Sequence, residues 1–157
     1  MAVPADPITV FVENEAGSDV KHHFDEQTLR VLRTERVGAA YPYPYGFVPG
    51  TLAPDGDAAD CFVLTGRSLH TGETVVCRPV ALLEQTEGGV IDHDVLAVLA
   101  GEEIPDLEEA VAGFARFFER FMAGVAGREA AVGRLLPAGD ALAYLEACAE
   151  AWRRRPA

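Results

Sequence analysis

Basic side chains are scarce in this chain of 157 residues: 13 Lys and Arg stand against 25 Asp and Glu, a formal net charge of −12 at pH 7. Gripping a phosphate backbone demands clustered Lys and Arg, so the balance argues against nucleic acid as a partner and, equally, against an anionic membrane surface. Cysteine is also rare. Cys61, Cys77 and Cys148 are far apart and form no CxxC pair, which reads as reduced thiols rather than a disulfide frame or a zinc knuckle. Long apolar runs are missing, the longest being Val95 to Ala100, against the ~20 residues a membrane span needs. Met1 to Pro7 carries no basic segment leading into an apolar one, so no secretory signal and a cytoplasmic location are expected. No repeat, low-complexity tract or linker divides the chain, and its length suits a single domain over residues 1–157. If such a protein handles an anionic substrate, something cationic must intervene, and a bound metal ion is the obvious candidate.

What is present changes character part-way. From Ile8 to about Leu99, short β-rich runs are separated by Gly, Pro and Asp: Ile8–Glu13, Leu29–Arg33, Phe62–Thr65, Val75–Leu83 and Asp94–Leu99. Runs of that length predict an antiparallel sheet or a small barrel. Pro105-Asp106 then opens a helix in which Leu107, Val111, Phe114, Phe117 or Phe118, Phe121 and Val125 form one apolar stripe. Asp106, Glu108 and Glu109 fall in its first turn, where the helix dipole favours anions. A last helix, about Asp140 to Arg154, turns Leu142, Leu145, Cys148 or Ala149, and Trp152 inward, and Arg153-Arg154-Arg155 reads as its solvated cap. Strands first and helices after give an α+β class.

The segment from Tyr41 to Cys61 is the most informative. Asp55, Asp57 and Asp60 crowd a turn-rich loop, and three carboxylates so close repel one another unless a cation or solvent intervenes. Pro-Asp-Gly-Asp is also ordinary turn chemistry between two strands. The twelve-residue loop and closing Glu of an EF-hand are missing, yet hard oxygen ligands point to Mg²⁺, Mn²⁺ or Ca²⁺ rather than zinc. Downstream, Glu87 and Asp92 flank a Gly88-Gly89 turn. If that turn lies at the same end of the sheet, five carboxylates converge on a pocket for two or more divalent ions; otherwise they are two solvated hairpin residues.

The run Tyr41-Pro42-Tyr43-Pro44-Tyr45-Gly46-Phe47-Val48-Pro49-Gly50-Thr51-Leu52, followed by Asp55-Gly56-Asp57-Ala58-Ala59-Asp60, resembles the signature of the soluble inorganic pyrophosphatases. Val10-Phe11-Val12-Glu13, Cys77-Arg78-Pro79-Val80 and Phe117-Phe118-Glu119-Arg120 are similar to further segments of that family, so the resemblance runs from about Ile8 to Arg154. It implies a five-stranded OB-like antiparallel β-barrel with flanking hairpins, and two C-terminal helices packed against it. It also implies Mg²⁺-dependent hydrolysis of pyrophosphate to two phosphates, with Mn²⁺ or another divalent ion as a substitute, in a homo-oligomer. On the same basis Asp55, Asp60 and Asp92, with Glu87 where the family usually has Asp, hold the ions. Asp57 assists deprotonation of the attacking water. Lys21, Arg33 and Tyr45 grip the phosphates, and Glu13 is the acidic residue of the first strand.

The chain departs from the pattern mainly at substrate contacts. Phe121-Met122 replaces a Tyr-Lys pair, Asp94 stands where a lysine is expected, and His23, Pro44 and Ala58 replace Glu, Asn and Pro. Charge-assisted hydrogen bonds are worth roughly 1.5–3 kcal/mol each, so two lost cations correspond to on the order of 10²–10⁴ in transition-state binding. Arg116, Arg120, His22, His23 or His93 are the substitutes at hand, and His93 as a ligand would favour Mn²⁺ or another transition ion. Two further readings stand beside the hydrolase: a relative re-specialised to another phosphoanhydride or phosphoester, and a non-catalytic homologue that binds metal and a phosphate-containing ligand.

Overall fold

Period-two alternation builds the centre of the molecule. The structure, a computed structural model, describes residues 7–121 and 130–156. In chain order the elements are β1 (Ile8–Asn14), β2 (Val20–Phe24), β3 (Val31–Arg36), β4 (Tyr45–Val48), β5 (Ala59–Val63), β6 (Thr74–Glu87), β7 (Val90–Ile91), β8 (Asp94–Leu99), α1 (Leu107–Phe121), β9 (Ala130–Pro137) and α2 (Ala138–Arg153). Strand β1 pairs with both β4 and β6, so the order β1-β4-β5-β8-β6 returns to β1 and closes a ring of five strands. All pairs in the ring are antiparallel except β5 with β8. That parallel pair arises because β8 returns between β5 and β6, antiparallel to the latter. The class is α+β with an OB-like ring, and closure leaves it without free edges.

Along β5, Ala59, Cys61 and Val63 point into the ring while Phe62 points out. Helix α2 closes one part of the inner core with Ala141, Leu145 and Cys148. Helix α1 lays Ala110, Phe114, Phe117 and Phe118 over the outer face, against Phe62, Leu83, Leu96 and Val98. Its N-terminus is capped by Asp106, whose Oδ1 accepts from Glu108 N–H (3.0 Å) and Glu109 N–H (3.2 Å). No described helix is long and apolar enough to cross a membrane.

Several elements differ from the sequence expectation. Strands β2, β4, β7 and β9 were not foreseen, and β3 and β5 are displaced from Leu29–Arg33 and Phe62–Thr65. Asp60 therefore stands on a strand rather than in the loop. On α2, Ala141 takes an inward place, while Leu142 and Trp152 are half-buried. Val125 of the expected apolar stripe, like Met122, lies outside the described residues.

Candidate active site

Backbone bonds aim the acidic loop. Thr51, buried three residues beyond β4, donates from Oγ1 to the Val48 carbonyl (2.6 Å) and accepts from Ala59 N–H (2.9 Å), joining the end of β4 to the start of β5. Leu52 N–H donates to the Cys148 carbonyl of α2 (2.9 Å). Within the loop Ala53 N–H reaches the Asp57 carbonyl (2.7 Å) and Asp57 N–H donates to Asp55 Oδ1 (3.0 Å). Gly56, with φ 94°, takes the left-handed conformation that this tight path requires. On the other side, Gly88 and Gly89 both have positive φ (59° and 81°), which is the two-residue turn that joins β6 to β7. That turn carries Glu87 and Asp92 to the same end of the ring as Asp55.

One carboxylate oxygen from each of Asp55, Asp60 and Asp92 lies within 4.8 Å of the others, on an exposed loop residue and two half-buried neighbours. They stand at one side of a cleft of about 520 Å³ that Lys21, Arg33, Tyr45, Asp57 and Glu87 also line. Glu87 is outside the three-carboxylate group and faces the same cleft. Glu13 lines an adjoining lobe of about 480 Å³ that shares Lys21, Arg33, Tyr45, Asp57 and Asp60 with the first. All nine candidate residues thus meet around one cleft. Lys21, the only lysine of the chain, is on β2; Arg33 is exposed on β3. Tyr45 is held by stacking on Tyr41 (ring centroids 5.4 Å) and by contact with Phe62 (4.9 Å), and its hydroxyl donates to Asp60.

Crowding raises the proton affinity of these acids. Burial pushes the Asp60 carboxyl well up, and its bond to Asp92 and the charges of Asp92 and Asp94 add to this; the Tyr45 hydroxyl opposes. Asp92 is raised by burial, against its bond to Asp60. Asp57 is raised by burial and then by Asp55, while Lys21 and His23 draw it down. Burial pushes Glu13 up to about 8, opposed first by Lys21. Closely placed oxygens that hold protons in this way are the donor set a hard divalent cation displaces protons from, so the residues fit such an ion.

The departures resolve structurally. His93 accepts from Gln85 N–H at Nδ1 (3.0 Å) and packs its ring on Tyr144 (5.5 Å), and it does not join the three-carboxylate group of Asp55, Asp60 and Asp92. Arg116 and Arg120 line a separate hollow with Ala39, Ala40 and Pro42 and do not enter the cleft. His22 donates its backbone N–H to Asn14 Oδ1 (2.8 Å) and its ring lies toward Phe24. His23 lines the cleft and bonds Glu35 Oε1 through Nε2 (2.7 Å). Phe121 fills the place of the expected tyrosine, with the Lys21 Nζ 5.5 Å from its ring centroid. Asp94 is buried in β8, in register with Asp60.

Sequence reasoning missed two acidic-side partners. Glu26 accepts Ala58 N–H through both carboxylate oxygens (3.1 and 3.0 Å), a bond open to this chain because residue 58 is not proline. Gln85 is the one buried residue of the polar run Glu84-Gln85-Thr86-Glu87 that ends β6, and nothing in the sequence sets it apart from its half-buried neighbours.

Residues 10–153 match the family described as inorganic pyrophosphatase. The chain is similar to an inorganic pyrophosphatase of Synechocystis, 38% identical over 105 residues, which cover 62% of this chain and 62% of that protein. It thus spans less than two thirds of that relative's length. A Saccharolobus solfataricus inorganic pyrophosphatase is 33% identical over 128 residues, covering 74% of each chain. The solved structure of an inorganic pyrophosphatase from Coxiella burnetii matches with a TM-score of 0.83 at 27% identity, covering 96% of this chain and 99% of that one.

Proposed function

The chain belongs to the inorganic pyrophosphatase family, and on that premise we propose that it hydrolyses inorganic pyrophosphate to two phosphates with a divalent ion, Mg²⁺ first, as a single-domain enzyme. The observation that carries this reading is the meeting of the Asp55, Asp60 and Asp92 oxygens within 4.8 Å beside a cleft that also holds Lys21 and Arg33. Asp55, Asp60 and Asp92 hold the ion, with Glu87 beside them. When bound, the ion screens the substrate's charge and acidifies water.

The chain's own groups do the rest. Arg33 offers a planar fork to phosphate oxygens, Lys21 a point charge and the Tyr45 hydroxyl a hydrogen bond. Asp57, exposed on the loop, takes the proton of the attacking water. A new P–O bond forms from that water, the bridging P–O bond breaks, and the bridging oxygen leaves with the second phosphate. Glu13 stands beside this set, where the charges of Lys21, Glu26 and Asp57 act on its carboxyl. The net charge of −12 disfavours nucleic acid as a partner, and the family likeness favours a homo-oligomer in the cytoplasm.

The buried Asp94 in place of a lysine favours a second reading, slower turnover or a less charged phosphoanhydride. A phosphate-release assay with pyrophosphate, nucleoside triphosphates and sugar phosphates, across Mg²⁺, Mn²⁺, Co²⁺ and Zn²⁺, separates the two. Release from pyrophosphate fastest with Mg²⁺ supports the first reading; faster release from any other substrate supports the second; no release from any of them overturns both.

A further inference from the structure

Below the cleft floor, against helix α1, lies a small cavity of about 50 Å³. Asp60, Asp92, Asp94 and Gln85 contribute to its wall, and Phe117 and Phe121 are among the aromatic rings that close it. Asp94 and Gln85 are each only 3% exposed, and Asp94 Oδ2 and Gln85 Oε1 are buried acceptors with no hydrogen-bond partner among the described residues. Buried acceptors in a native protein are nearly always paired, and a charged one the more so. We propose that this cavity binds a divalent cation of its own, held by the oxygens of Asp94 and Gln85 and sharing Asp60 and Asp92 with the ion expected at Asp55.

Five features converge on a cation. Both orphan atoms are acceptors, so the missing partner brings positive charge or a proton. Every donor group is oxygen, which selects Mg²⁺, Mn²⁺ or Ca²⁺ over zinc. Asp94 sits opposite Asp60 on the parallel pair β8 and β5, so the two carboxylates share one face and repel unless something stands between them. Lys21 also lines the cavity and its charge acts on Asp94, but its Nζ lies 5.5 Å from the Phe121 ring centroid and it makes neither an ion pair nor a hydrogen bond to Asp94 among the described residues, which leaves both acceptors open. The cavity admits a few water-sized bodies, which suits an ion with one or two waters. Neither Asp94 nor Gln85 belongs to the acidic set that the family resemblance implies. At position 94 that resemblance expects a tethered ammonium, and here a diffusible ion supplies the positive charge.

The inference stands apart from turnover, because the ions are counted without substrate. Mn²⁺ binding to the full chain is followed by calorimetry and by the electron paramagnetic resonance of free Mn²⁺, for the unaltered protein and for Asp94→Asn, Gln85→Leu and Asp55→Asn. The expected result is one fewer Mn²⁺ per chain in Asp94→Asn, and at least tenfold weaker binding of that same ion in Gln85→Leu. Asp55→Asn weakens the other ion and keeps this one. Circular dichroism of each variant without metal reports whether it is folded, and two independent variants keep the test decisive if one is not. Equal numbers and affinities in the unaltered protein, Asp94→Asn and Gln85→Leu would overturn the proposal, and would mean that a proton on Asp94, shared with Gln85, satisfies both atoms.

Discussion

Replacing Glu13 by Gln should flatten the dependence of stability on pH in the metal-free protein. Glu13 stands on β1 among Lys21, Glu26 and Asp57, and burial pushes its carboxyl from 4.5 up to about 8. Between those two values the unfolded chain has released a proton that the folded chain keeps. The stability this group contributes is therefore fully present below about pH 4.5 and is lost as pH rises through 8. A displacement of that size corresponds to about 5 kcal/mol, against a whole-domain stability of ~5–15 kcal/mol. Asp60, Asp92 and Asp94 are displaced in the same direction, so their losses add to it. The metal-free protein should be most stable in mild acid, and Mg²⁺ should restore stability at pH 8 by binding the deprotonated acids. Urea unfolding from pH 5 to 9 in the presence of a chelator, for the unaltered protein and Glu13→Gln, reads this directly. The unaltered protein should lose stability with rising pH, and Glu13→Gln should lose up to about 5 kcal/mol less over the same interval. Identical pH slopes for the two proteins, or stability that rises from pH 5 to 8, would refute the reasoning.

Two packing predictions follow from backbone geometry. Ala58→Pro removes the N–H that both Glu26 oxygens accept, so the half-buried carboxylate loses its partner and the acidic loop its tether. The cost should be about 1–3 kcal/mol at pH 8 and smaller at pH 4, where Glu26 is neutral; equal unfolding midpoints at both pH values would contradict it. Gly46 lies so close to β1 that a Cβ there would collide with the Phe11 carbonyl oxygen. Gly46→Ala should cost about 3 kcal/mol or more, since a backbone strand has to move, and lower Tm by roughly 6–12 °C; an unchanged Tm would rule that crowding out.

How far the sequence disclosed this molecule depended on how much of each element is buried. Strand β8 was legible to the residue because Asp94–Leu99 is buried throughout and bounded by a turn. Strand β2, Val-Lys-His-His-Phe, is half-buried along its whole length and shows no alternation to read. Strand β9 interrupts Val132 and Leu135-Leu136 with Ala, Gly and Arg and ends on Pro137, so its propensity is weak and pairing with β6 decides its conformation. Helix α1 announced itself through its three- and four-residue spacing and the Asp106 cap, whereas α2 starts at Ala138 behind Pro137 with no side-chain cap to mark it. At the site, the Asp55–Asp60 cluster was visible as a local motif, and family resemblance supplied Lys21, Arg33 and Tyr45. Glu26 and Gln85 escaped because each meets the site through folding alone. Glu26 does so across 32 residues, and Gln85 from a position where neither charge nor spacing marks it.

The central claim is a carboxylate-assisted attack of water on pyrophosphate at the acidic cleft, and phosphate release by Asp57→Asn beside the unaltered protein tests it most directly. With Mg²⁺ and pyrophosphate at neutral pH, the unaltered protein should release phosphate, and Asp57→Asn should do so about 10²-fold more slowly or worse while still binding Mg²⁺ through Asp55, Asp60 and Asp92. Equal rates in the two proteins, or no release from either, would contradict it.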